Sequence, residues 1–185
     1  VTALALGGPM ASDTVLVLAS RALDLTGDGE VEVLELVGVG ESMDSLDLTL
    51  SISSAGRTIY RQPLRPATRT VGHDAGRRTL SAAEHRQRLD ELGDFIFADA
   101  NFSTPGEFVA KLEEDAPRHV ALIPDVIGRA RRAAMGDEAI PGEEIWRDMR
   151  RRGTVVFEFS AGGDQVTAIA WSAVDQRFYR VWECC

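Results

Sequence analysis

Leu46-Asp47-Leu48-Thr49-Leu50-Ser51-Ile52-Ser53 alternates apolar and polar residues without a break. Successive side chains of an extended chain point to opposite faces. Leu46, Leu48, Leu50 and Ile52 therefore line one face and the polar residues the other, as in a half-buried antiparallel strand. Ser54-Ala55-Gly56 reads as a short turn, and Arg57-Thr58-Ile59-Tyr60-Arg61 as the returning hairpin partner, stopped by Pro63 and Pro66. Upstream, Glu30 to Val39 reads as another strand, ended by Gly38 and Gly40. Val15-Leu16-Val17-Leu18 is apolar but continuous, a pattern that fits a strand or a buried helical turn equally.

Downstream the period changes. Ser81 with Glu84 spells a capping box, and His85, Leu89, Leu92 and Ile96 then fall on one helical face. Phe95, Phe97 and Phe102 gather near the end of that helix and read as core anchors. Thr104-Pro105-Gly106-Glu107 starts a second helix, Pro124 a third running to Gly136, and Pro141 a fourth. The fourth has Glu143 and Glu144 in its first turn and Arg150-Arg151-Arg152 in its last. That distribution complements the helix dipole, and Trp146 and Met149 face the sheet. The chain ends as a meander: strands around Val155-Phe159, Val166-Ser172 and Arg177-Glu183, joined by turns at 161–164 and 173–176. These patterns predict an α+β fold. An N-terminal hairpin and a C-terminal meander share one antiparallel sheet, and about four helices within residues 81–152 pack on one of its faces. Residues 1–12 read as a tail or signal-peptide remnant, and 13–185 as a single domain.

Between the first two apolar segments stands Asp24-Leu25-Thr26-Gly27-Asp28-Gly29-Glu30-Val31-Glu32-Val33-Leu34-Glu35. Oxygen-bearing side chains at alternate positions, a glycine for the sharp turn and a closing glutamate suit a hard cation. The stretch resembles the EF-hand-like calcium loops of bacterial extracytoplasmic proteins, in the dockerin and FG-GAP style. The resemblance covers this loop alone. It implies side-chain oxygens from Asp24, Thr26 and Asp28, a backbone carbonyl from Glu30, a water-mediated contact from Glu32, bidentate closure by Glu35, and Val31 packed on the core. Ca2+ is the implied ion. Two departures stand out: Thr26 replaces an acidic or amide residue, and the exit is strand-like where such loops enter a helix. The other reading is an acidic Asp/Gly turn between strands.

The 185 residues carry a net charge of −9, which disfavours nucleic acid as a partner. The charge is uneven. Residues 1–56 sum to −8, residues 57–92 to +4 and residues 93–185 to −5. Lys111 is the only lysine among 20 basic residues, so nearly every cation is an arginine fork. Cys184 and Cys185 are adjacent and cannot staple distant parts of the fold. The amino-terminal residues resemble the end of a signal peptide, and Asp13 interrupts the apolar run, so no membrane span is expected there.

No nucleophile elbow, zinc-protease helix, phosphate loop or paired Cys-x-x-Cys is present, and His73, His85 and His119 lack ligand spacing. Residues 65–80 form an arginine-rich stretch read as a long exposed loop. The pattern points to a non-catalytic extracytoplasmic protein, in the periplasm or cell envelope, that works by binding. It would be an extrinsic, stabilising subunit of a larger, membrane-associated assembly with protein partners, its acidic loop stiffened by calcium. The alternative is a secreted enzyme or small-ligand-binding protein with His73 and Asp74 in a site near the 65–80 loop.

Overall fold

Among the described residues eight strands form two antiparallel sheets, where the sequence predicts one. The computed structural model describes residues 14–40, 46–64, 81–115, 141–162 and 165–184. The first sheet is an uninterrupted meander of β1 (Thr14–Leu23), β2 (Glu32–Gly40), β3 (Asp47–Ser54) and β4 (Arg57–Leu64), in that spatial order. The second has the order β5 (Phe102–Ser103), β6 (Val156–Gly162), β7 (Gln165–Ser172) and β8 (Arg177–Cys184). Three α-helices lie among the described residues: α1 (Ala82–Ile96), α2 (Pro105–Asp115) and α3 (Glu143–Arg152). The helix expected after Pro124 falls outside the described residues. So do the amino-terminal tail, the 65–80 loop with His73 and Asp74, His119 and Cys185.

The physical reason for two sheets lies in the second one, which is apolar on both faces. Phe157, Phe159 and Ile169 join a core with Leu34, Leu36, Leu50 and Ile52 of the first sheet. Val156, Ala168, Ala170, Val181 and Trp182 point the other way, into a second core with Phe108 of α2 and Trp146 and Met149 of α3. A sheet with two apolar faces must be covered on both, and each fully buried large side chain contributes about 1.5–3 kcal/mol. The result is three layers: first sheet, second sheet, then α2 and α3. The helices are therefore not gathered on one face of a common sheet. They divide, with α2 and α3 over the second sheet and α1 along the side, touching β1 and β6.

Helix α1 begins as its signals predict. Ser81 Oγ accepts from Glu84 N–H at 3.3 Å, and Glu84 Oε2 accepts from Ser81 N–H at 2.8 Å. Its inner face sends Leu89, Leu92 and Ile96 into the shared core. Gly93 meets β1 so closely that a Cβ there would sit 2.5 Å from the Cβ of Ala19. Of the three phenylalanines read as anchors, Phe97 and Phe102 pack on the core and Phe95 is 62% exposed. Pro63 does not stop the hairpin. It pairs with Thr49 inside β4, an edge strand whose outer side needs no N–H donor.

Candidate functional site

The β1–β2 loop is held by its own carboxylates. Asp24 Oδ1 accepts from Gly27 N–H at 2.7 Å and Oδ2 from Gly29 N–H at 2.9 Å. This winding needs φ of 72° at Gly27 and 92° at Gly29, values that glycine adopts without strain. Asp28 Oδ1 accepts from Glu30 N–H at 2.9 Å. Glu32 is fully buried, and its Oε2 accepts from the N–H groups of Leu25 at 2.8 Å and Thr26 at 3.2 Å. Glu30 is exposed, and Glu35 stands on the outer face of β2 between Ser20 and Ser51. Val31, expected on the core, is 56% exposed. The structure thus brings Asp24, Asp28, Glu30 and Glu32 into one hydrogen-bonded loop and carries Glu35 away along the strand. Among the described residues no three acidic, histidine or cysteine side chains gather as a metal-holding group.

The same loop is tied to the distant α3–β6 junction. Val155 N–H donates to Leu25 O at 3.2 Å, and Thr154 Oγ1 to Thr26 O at 3.5 Å. Gly27 packs so tightly that a Cβ would lie 3.0 Å from Arg152 O. Helix α3 stops here because Gly153 turns left-handed at φ 71°, with Thr154 N–H donating back to Met149 O at 3.2 Å.

Antiparallel meanders place alternate turns at one end, so the β1–β2 loop and β3–β4 turn are neighbours, and the β7–β8 turn joins them from the second sheet. Between them lies an open groove of about 630 Å3. Thr26 and Asp28 come from the loop, Arg57 and Ile59 from the β3–β4 hairpin, Arg152 from α3 and Trp171 from β7. Behind Trp171 the two sheets are joined through rings. Phe178 meets Trp171 edge to face at 5.2 Å and Tyr60 at 5.3 Å. Burial pushes the Tyr60 phenol up to about 12, against the opposing effect of Arg180. The Tyr179 hydroxyl is raised as well, by burial and then by its 2.5 Å bond to Asp175.

The groove carries two guanidinium groups in different states. Arg152 Nε donates to Asp148 Oδ2 at 2.8 Å, which orients the head. That bond, together with Arg151, holds the Asp148 carboxyl below its ordinary range despite an opposing desolvation. Arg57 is exposed and makes no ion pair among the described residues. Thr26 is 5% exposed, and its Oγ1 is buried with no partner among the described residues, as is Glu32 Oε1. Paired arginines beside an aromatic floor can grip a planar oxyanion by bidentate hydrogen bonds.

Sequence reasoning reads these residues otherwise: Arg57 as the start of a hairpin strand, Arg152 as a dipole partner, Trp171 as core. Nothing in the spacing of residues 26, 57, 152 and 171 announces that they meet. The one available signal is topological, since successive hairpins of a meander return every second turn to the same end. His85 is half-buried on α1, and the aromatic residues of β7 and β8 are mostly buried, as core packing requires. Among the described residues no helix is long and apolar enough to cross a membrane. Comparison with protein-family models, with curated proteins and with solved structures gave no match.

Proposed function

We propose that this is a non-catalytic binding protein, an accessory subunit that docks on a protein partner through the loop end of its two-sheet sandwich. The observation that carries the reading is the groove itself. Three connections from two sheets and the end of α3 converge there, and two arginines stand at its walls. Loops held by a rigid scaffold are where binding surfaces concentrate. The uneven charge of the chain suits electrostatic docking, which speeds encounter and selects partners. A place outside the cytoplasm, beside a membrane-associated assembly, remains part of the proposal.

The test is affinity capture from the detergent-solubilised envelope of the source cell. Three baits are compared: the native chain, Arg57→Glu, and a control with Arg88→Ala on the exposed side of α1, away from the groove. A partner retained by the native chain and the control but lost with Arg57→Glu supports docking at this end. Equal retention by all three baits moves the interface elsewhere.

A further inference from the structure

We infer that the groove receives a carboxylate, with Arg57 and Arg152 as its clamp; this rests on the groove being the binding surface proposed above. Size is the first consideration. A space of about 630 Å3 lies within the range of sites that hold a small molecule or a short chain segment, and is too small for a domain face. Charge is the second. The ionised walls are Arg57 and Arg152 against Asp28, and behind them Asp148 is shared between Arg152 and Arg151, so three guanidinium groups face two carboxylates and one positive charge is left in excess. A singly charged carboxylate matches that excess, whereas a dianionic phosphate would meet Asp28 with charge to spare.

Hydrogen bonding points the same way. The Nε of Arg152 is committed to Asp148 Oδ2 at 2.8 Å, and its terminal nitrogens make no bond among the described residues. Arg57 is likewise uncommitted among them. A guanidinium fixed along one edge and open along the other loses little conformational freedom on binding. Thr26 lines the same wall, with its hydroxyl oxygen closed off from solvent behind it. Ile59 and Trp171 give the floor an apolar surface for the carbon skeleton that bears the carboxylate. The carboxylate is that of an acidic residue on the partner chain proposed above, and a free organic acid is an outcome that the test separates.

Nuclear magnetic resonance of the full 15N-labelled chain tests this directly, following the Trp171 indole N–H and the arginine Nε–H signals. The probes are a glutamate-rich hexapeptide, the same peptide with glutamine at each glutamate, and free glutarate. Saturable shifts at Trp171 and Arg57 with the acidic peptide but not its glutamine counterpart are expected. Affinity should fall at least tenfold in Arg57→Gln or Arg152→Gln. It should rise several-fold in Asp28→Asn, which removes the competing charge and which a merely structural role for Asp28 would not produce. Peptide binding well above that of glutarate supports a partner side chain as the source, and glutarate matching the peptide overturns that source in favour of a free acid. Equal shifts with acidic and neutral peptides overturn the carboxylate while leaving the groove as the binding surface. No shift from any probe at millimolar concentration also overturns it. Loss of the docking proposal is read separately, from partner capture that Arg57→Glu leaves intact.

Discussion

Glu32 shows how far a single side chain can depart from its apparent role. A glutamate in an alternating Glu-Val-Glu-Val run reads as the solvent-facing member, yet Glu32 is fully buried and Val33 is 39% exposed. The face is decided by Leu34 and Leu36, which enter the core on the same side as Glu32. Period-two alternation was legible, but which half of it points inward was not, because valine tolerates exposure. The buried carboxylate makes no ion pair among the described residues and is kept by two backbone donors, Leu25 and Thr26. Glu32→Ala strips those donors of their acceptor and should cost about 3 kcal/mol in urea unfolding. Glu32→Gln keeps a carbonyl acceptor and should cost about 1 kcal/mol. An unchanged midpoint in the alanine variant would show that the loop is held by other means. The two tyrosines give a pH test. Tyr60 and Tyr179 both favour the neutral phenol in the folded chain. Their contribution to stability is complete below the ordinary tyrosine value near 10 and lost as pH rises through the folded values, about 12 for Tyr60. Ultraviolet titration should find little tyrosinate at pH 10 in the folded chain, and Tyr60→Phe should remove the latest step.

Helix starts were the most legible elements, because capping is a local matter. Ser81 and Glu84 form their box, and Thr104 and Glu107 repeat it, with Thr104 N–H donating to Glu107 Oε2 at 2.8 Å. Strand β1 was not legible. Its apolar run has no period to read, and its pairing with β2 includes a register shift between Val17 and Ala19. The packing of α1 against that strand supplies an element-scale prediction in which two effects oppose each other. Gly93→Ala gains roughly 1 kcal/mol of intrinsic helix propensity. The new methyl would stand 2.5 Å from the Cβ of Ala19, and overpacking of this kind costs about 1–3 kcal/mol. The variant should therefore be the less stable one, and Gly93→Ala combined with Ala19→Gly should recover most of the loss. Thermal unfolding of the three variants decides it. A gain in the single variant would mean that the helix moves off the strand freely.

At the scale of the molecule, alternation says which face of a strand is apolar and nothing about what that face meets. Leu48, Leu50 and Ile52 were read correctly as a buried row, but their partners are Phe157, Phe159 and Ile169 from a different sheet. The middle layer is enclosed on both faces, and Phe157 is its pivot, packed on Phe102 at 4.6 Å, Phe159 at 5.2 Å and Phe97 at 6.3 Å. Phe157→Ala should cost about 3–5 kcal/mol. Hydrogen exchange should find the slowest amides in β6 and β7 and fast ones in the outer half of β1. Uniform protection across both sheets would contradict the layered core. The layering also bears on how the chain is made. All four strands of the first sheet precede those of the second in the chain, so on the ribosome the first sheet emerges whole while Phe157, Phe159 and Ile169 are still unsynthesised. Leu34, Leu36, Leu50 and Ile52 are then a greasy surface without a lid for the time it takes to translate the rest, a window in which nascent chains aggregate or are claimed by chaperones.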